Sequence, residues 1–215
     1  MTQKRLIKKL VKEKYLKTPL IIEAFQQIDR QDFVLEKQKE CAYVNQAMPI
    51  GENQTISQPL TVAFMLEKLN PKPGEKILDI GSGSGWQAAL LSYIVSKNDN
   101  KEGKVFSIER IPELKKMAKT NLKKYDFIKK EITQVIKGNG INGYISQAPY
   151  DKIIAAAAGN KIPQAWKKQL KTGGKIVAPV KSSIYVLDKT SNEDFEEKQY
   201  FGFSFVPLIN KKNEK

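Results

Sequence analysis

Histidine is missing from all 215 residues, and cysteine occurs once, at Cys41. Without histidine there is no imidazole general base and no imidazole metal ligand, which excludes triad hydrolases and most zinc enzymes. A lone cysteine allows no internal disulfide and no cysteine metal cluster; Cys41 is expected to act as a small apolar filler. Arginine is also scarce. Only Arg5, Arg30 and Arg110 occur among 37 basic residues, so the net charge of +14 is almost all lysine. Bidentate phosphate and guanine contacts favour arginine, and the lysines are spread along the chain. A solvated lysine surface with no nucleic-acid partner is therefore expected. No apolar run reaches eighteen residues, so no membrane span is expected. The N-terminal MTQKRLIKKLVKEKYLK lacks the apolar centre and cleavage site of a secretory signal. A cytoplasmic monomer is the resulting expectation.

What is present is an alternation of short apolar strands and amphipathic helices. Residues 2–16 read as a basic helix with Leu6, Leu10 and Val11 on one side, and Pro19–Ile28 as a second helix opened by its proline. Periodicity fades from Cys41 to Gln58, which predicts a long structured loop. Helical spacing returns at Val62, Met65, Leu66 and Leu69. After it come KILDIGSG, a buried helix over 86–95, a strand over 104–109, a helix over 112–125, and strands over 131–137 and 150–157. A helix over 162–170 and a fifth strand, TGGKIVAPV, follow, then SIYVLDK over 183–189 as a hairpin partner. NEDFEE reads as an acidic loop, KQYFGFSFVPLI as a late strand, and 210–215 as a frayed tail. This order predicts an α/β fold: a doubly wound, mostly parallel sheet with an antiparallel C-terminal edge and an N-terminal helical extension. One domain spans 1–215, with helices and a substrate loop over 1–58 and a ligand-binding core over 59–209.

Such sheets bind ligands beyond the carboxyl ends of their strands. There lies Asp79-Ile80-Gly81-Ser82-Gly83-Ser84-Gly85-Trp86, a glycine loop leading into a helix. Glycine spacing alone is a weak signal, and the third glycine arrives one residue early for the dinucleotide pattern. Asp79 discriminates better: a carboxylate beside the loop disfavours a pyrophosphate and favours a cationic ligand such as S-adenosylmethionine. Glu109 ends the next strand, where an acid can accept both ribose hydroxyls, and Asn139 ends the third, where an amide can read an adenine edge. Upstream, QTISQP packs polar residues around one isoleucine and closes on Pro59. Its plain reading is a helix start capped by Ser57; its functional reading is the other half of an active site.

AYVNQAMPIGENQTISQPLTVAFMLEKL, LDIGSGSGW, VFSIERIPEL, APYDKIIAAAA, LKTGGKIVAPV and FSFVPL together resemble the protein-L-isoaspartate O-methyltransferases, in the class I S-adenosylmethionine-dependent fold. The resemblance covers nearly the whole chain, and QTISQP is its most specific part. It implies a Rossmann-like core, S-adenosylmethionine as cofactor, and methyl transfer to the α-carboxylate of L-isoaspartyl residues in damaged proteins. It implies Ser57 as the catalytic residue and Thr55 and Ile56 at the seam between cofactor and substrate. Tyr43 is expected to hold the substrate loop. The implied cofactor set is Asp79, Gly81, Ser82, Gly83, Gly85, Glu109, Arg110, Asn139 and Gly140. Trp86 and Trp166 are expected to pack in the core. Asn45 and Asn139 stand where the family usually has aspartate, and Val180 is not followed by the glycine expected there. Two other functions compete: a class I methyltransferase acting on RNA or a small molecule, whose N-P-P-Y motif is absent, and a binding module with weakened turnover.

Overall fold

The computed structural model describes residues 1–97 and 102–209. Two helices open the chain, α1 (Gln3–Lys12) and α2 (Pro19–Gln27), followed by two 3-10 turns over Arg30–Phe33 and Glu36–Cys41. A small hairpin, β1 (Met48–Gly51) and β2 (Gln54–Ile56), leads into α3 (Pro59–Leu69). The core then alternates: β3 (Lys76–Ile80), α4 (Trp86–Val95), β4 (Lys104–Glu109), α5 (Pro112–Lys123), β5 (Thr133–Lys137), β6 (Tyr150–Ala155), α6 (Gln164–Gln169) and β7 (Leu170–Val180). β8 (Ser183–Lys189) and β9 (Phe195–Phe201) complete it. Three helices begin with proline, at Pro19, Pro59 and Pro112. The fixed φ of proline suits a first turn whose N–H needs no helical partner.

The seven strands lie in the order β5-β4-β3-β6-β7-β8-β9. The first five are parallel, and β7-β8 and β8-β9 are antiparallel. The chain runs outward through β3, β4 and β5, then returns to the other side of β3 with β6. That reversal opens the crevice in which doubly wound sheets take ligands. Ile80 pairs with Ile108 and with Ala155, so the carboxyl ends of β3, β4 and β6 finish level. β3 is buried over Ile77–Ile80, as a strand covered on both faces must be. One core, with Leu90, Leu91, Val105 and Ile154, lies under the N-terminal helices, α3, α4 and α5; a second, with Phe106, Tyr150 and Trp166, lies under α6.

Several expectations need correction. α1 ends at Lys12 and turns Ile7 inward, while Val11 is 40% exposed. The stretch from Cys41 to Gln58 is not all loop: β1 and β2 pair with a bulge near Gly51, whose φ is +95°. Cys41 is exposed and fills no core. The acidic stretch joins β9, which runs along the sheet edge where charges are solvated. Conversely, FSFVPL is no strand. Gly202 turns at φ +91°, and the segment makes one backbone bond from Phe203 N–H to the Ser182 carbonyl and a bridge between Pro207 and Ala158. The tail over 210–215 lies outside the described residues. No helix among the described residues is long and apolar enough to cross a membrane.

Candidate active site

β3 delivers the glycine loop to the crevice. Gly81, Gly83 and Gly85 all have positive φ, at 89°, 52° and 93°. At Gly85 the requirement is twofold, because a Cβ would also stand 3.1 Å from Ala118 Cα on α5. The loop is held from the next strand end. Glu109, 6% exposed, accepts from Gly83 N–H at 2.9 Å and from Ile111 N–H at 3.0 Å, one carboxylate oxygen to each. Gly140 packs where a Cβ would meet Ile80 Cγ2 at 2.3 Å, and its carbonyl accepts from Trp166 Nε1 at 2.8 Å. Trp166 is thus packing, as expected, with a polar tip that fixes the third loop. Gly81, Gly83, Glu109, Arg110, Asn139 and Gly140 share one cavity, walled by Ile108, Ile111 and Leu114 and crossed by Val206–Ile209.

Asn139 reaches this cavity already engaged. Its Oδ1 accepts from Ile141 N–H at 3.1 Å, and its Nδ2 donates to the Ile209 carbonyl at 3.3 Å. It caps a 3-10 turn and ties down the C-terminal segment.

Asp79 is placed differently from the expectation. It is fully buried, and its carboxylate turns to neighbouring side chains beneath the glycine loop. Its Oδ1 accepts from Gln87 Nε2 at 2.7 Å and its Oδ2 from Ser107 Oγ at 2.6 Å. With the Ser107 proton committed to Asp79, Ser82 Oγ, 2.5 Å away, must be the donor to Ser107. Burial raises the Asp79 carboxyl to about 6, the two hydrogen bonds pull against that, and the Glu109 charge adds to it. A cation in the crevice would favour its ionised form through a low-dielectric interior. Asp79 therefore stands beneath the loop, its charge shielded from water. Gln87, the second residue of α4, and Ser107, mid-strand, carried no such signal in the sequence.

The residues expected to serve the acceptor come from the N-terminal half. Thr55 is exposed, Ile56 buried and Ser57 half-buried. Thr55 and Ser57 face Phe203–Val206 across an open cavity of about 680 Å³. They also meet Gly81 and Ser84 of the glycine loop across a smaller one, so the two halves of the site adjoin. Ser57 does not cap α3. The capping position is Gln58, which makes no side-chain cap bond, and Asn45 Oδ1 accepts from Leu60 N–H at 2.9 Å instead. Asparagine caps as well as aspartate does, so the departure at Asn45 preserves this contact. Tyr43 lines none of these three cavities. Its hydroxyl donates to Asp29 at 2.7 Å, and burial with that bond pushes its pKa well above the ordinary phenol value. It holds the loop at its base and contacts no cavity. Trp86 is 2% exposed, packed edge-on to Phe25 at 5.5 Å, and is the first residue of α4.

Arg30 went unread. It is 1% exposed and donates to the carbonyls of Ala42, Gln46 (3.1 Å) and Ser57 (3.1 Å). Its rarity in a lysine-rich chain was the available signal.

The family model described as protein-L-isoaspartate(D-aspartate) O-methyltransferase (PCMT) matches residues 1–213. A protein-L-isoaspartate O-methyltransferase of Methanopyrus kandleri is 38% identical over 211 residues, covering 96% of this chain and 91% of that protein. One of Staphylothermus marinus is 40% identical over 212 residues, covering 96% and 93%. In three dimensions the chain is similar to a crystal structure from Plasmodium falciparum described as a protein-L-isoaspartate O-methyltransferase in complex with S-adenosyl-L-homocysteine. The TM-score is 0.88, with 97% of this chain and 99% of that chain covered; at 23% identity that likeness speaks to fold. By the full-length family match and these relatives, the chain belongs to the protein-L-isoaspartate(D-aspartate) O-methyltransferase family.

Proposed function

We propose that this protein is an S-adenosylmethionine-dependent carboxyl methyltransferase acting on L-isoaspartyl residues of damaged proteins, the step that starts their repair. The observation that carries the reading is the juxtaposition of Ser57 with the glycine loop across a shared cavity, in a chain of this family. The residues suit the cofactor. The crevice offers a glycine cradle, the Glu109 carboxylate, apolar walls for a base, and the buried Asp79 charge beneath. When bound, S-adenosylmethionine supplies an electrophilic methyl group on a sulfonium. Gly81, Gly83, Glu109, Arg110, Asn139 and Gly140 would hold it, with Ser82, Gly85 and Asp79 behind them.

The acceptor carboxylate is ionised at neutral pH and is itself the nucleophile, so no general base is required. That agrees with a histidine-free chain. Ser57 donates its hydroxyl proton to one carboxylate oxygen and leaves the other free to attack. Thr55 and Ile56 form the wall beside it. The chain's contribution is alignment and exclusion of water.

The same reading makes the protein a cytoplasmic monomer without nucleic-acid partners, working as one domain in which residues 1–58 serve the acceptor and 59–209 the cofactor. Light scattering should then return 24.4 kDa. The decisive experiment incubates the protein with methyl-labelled cofactor and matched peptides containing isoaspartate or aspartate. Label confined to the isoaspartyl peptide is expected; equal labelling, or none, would overturn the substrate assignment.

A further inference from the structure

Arg30 is a buried cation without a counterion: no salt bridge involves it among the described residues. Burying an unpaired charge is costly, and an apolar side chain would fill the same space without that cost. What the guanidinium does that no apolar group could is collect carbonyls. Its planar fork reaches Ala42 and Gln46, which flank the loop before β1, and Ser57 itself. The face of the same group lies 5.1 Å from the ring centroid of Trp86, the residue immediately after the glycine loop. One side chain thus touches the acceptor segment and the first turn of the cofactor helix. The contact is also imperfect. Arg30 Nε and Trp86 Nε1 are both buried without a hydrogen-bond partner. Folding alone does not account for a charge held at that expense.

We propose that Arg30 is the positioning residue that sets Ser57 against the glycine loop. Its bond to the Ser57 carbonyl fixes the peptide unit that carries the hydroxyl, and its stacking on Trp86 references that unit to α4. Misplacement of a reacting group by about 1 Å costs on the order of 10²-fold in rate. The role depends on the fork more than on the charge, because a lysine ammonium is a point donor that cannot span three carbonyls. This inference rests on the isoaspartyl reading above, and its test separates the two.

The test compares the parent with Arg30→Lys, Arg30→Met and Arg30→Gly, using the isoaspartyl peptide. Label transfer by the parent is required first; its failure sinks the substrate reading and leaves nothing for Arg30 to position. With an active parent, Arg30→Lys and Arg30→Met are expected to lose on the order of 10²-fold in kcat per folded molecule. The peptide KM and the cofactor Kd should stay within about threefold, as befits a group that touches neither ligand. Millimolar ethylguanidinium should raise kcat in Arg30→Gly and leave Ser57→Ala unchanged, by refilling the vacated space. A kcat within twofold of the parent in Arg30→Lys would overturn the proposal. So would a loss carried by cofactor Kd instead, or an Arg30→Lys protein that does not fold at the assay temperature, since each would make Arg30 a binding or folding residue only.

Discussion

The two halves of the site are held by different means. The cofactor half sits on the ends of β3, β4 and β6, whose register is set by a continuous ladder. Its polar groups are tied to near neighbours in space: Glu109 to the loop amides, and Asp79 to Ser107 and Gln87. The acceptor half sits on a two-stranded hairpin outside that sheet. It is held by single side chains reaching to backbone, Arg30 to Ser57 and Asn45 to Leu60. A rigid lattice on one side and a few clamps on the other means that damage should differ in kind. On the cofactor side it should appear as lost stability or affinity, and on the acceptor side as lost rate.

The largest expected effect is Gly85→Val. A β-branched residue at φ +93°, against Ala118, should cost about 4 kcal/mol of stability, the sum of a left-handed conformer and overpacking. Chemical denaturation measures it, and a midpoint unchanged by the substitution would remove the steric argument.

Asp79→Asn should act in the opposite direction on stability. A carboxyl raised in the fold from 3.8 to about 6 favours folding most when protonated; that contribution is full below 3.8 and is lost as pH rises through about 6. The neutral amide should therefore stabilise the ligand-free protein at pH 7.5 by up to about 3 kcal/mol, with the gain vanishing near pH 4. It should also weaken cofactor binding by about tenfold. In the parent, affinity for the cofactor should decline as pH falls below about 6, when the charge is lost. Calorimetry across that range tests both, and a flat affinity profile would contradict the charge role.

Ser57→Ala should lower kcat on the order of 10²-fold, as removal of one well-placed donor does, with cofactor Kd unchanged. Rate and affinity falling together would place Ser57 on the wrong side of the comparison. The smallest effect belongs to Glu67→Gln. Glu67 accepts from the Lys17 and Thr18 amides and the Thr18 hydroxyl, pinning the α1–α2 link to α3. Losing that charge should cost about 1 kcal/mol, or 2–4 °C in Tm, without altering cofactor affinity.

The same contrast explains what could be read in advance. The strands of the core announced themselves as apolar runs bounded by glycine, proline and lysine, and so their ends could be located at Asp79, Glu109 and Asn139. That Asp79 is buried and not lining could not be read, since it depends on Gln87 and Ser107 arriving from two other elements. Ser57 does adjoin the glycine loop, but its plain role as a helix cap is taken by Asn45, fifteen residues before the Leu60 amide that it caps. The hairpin of MPIG and QTI escaped because its strands are four and three residues long and one contains proline. FSFVPL has the alternation of a strand, yet Gly202 breaks it from β9 and Pro207 has no amide to donate.

Val206–Ile209 crosses the cofactor crevice, with Val206 accepting from Ala158 and Leu208 donating to it, both at 2.8 Å. Beneath that strap lie Gly81, Glu109 and Asn139. A cofactor seated there would lie against a short backbone clasp. A rapid-quench experiment shows whether that clasp paces the enzyme: a burst equal to the enzyme concentration before slow steady turnover would mark departure of the spent thioether, and not the methyl shift, as the slow step.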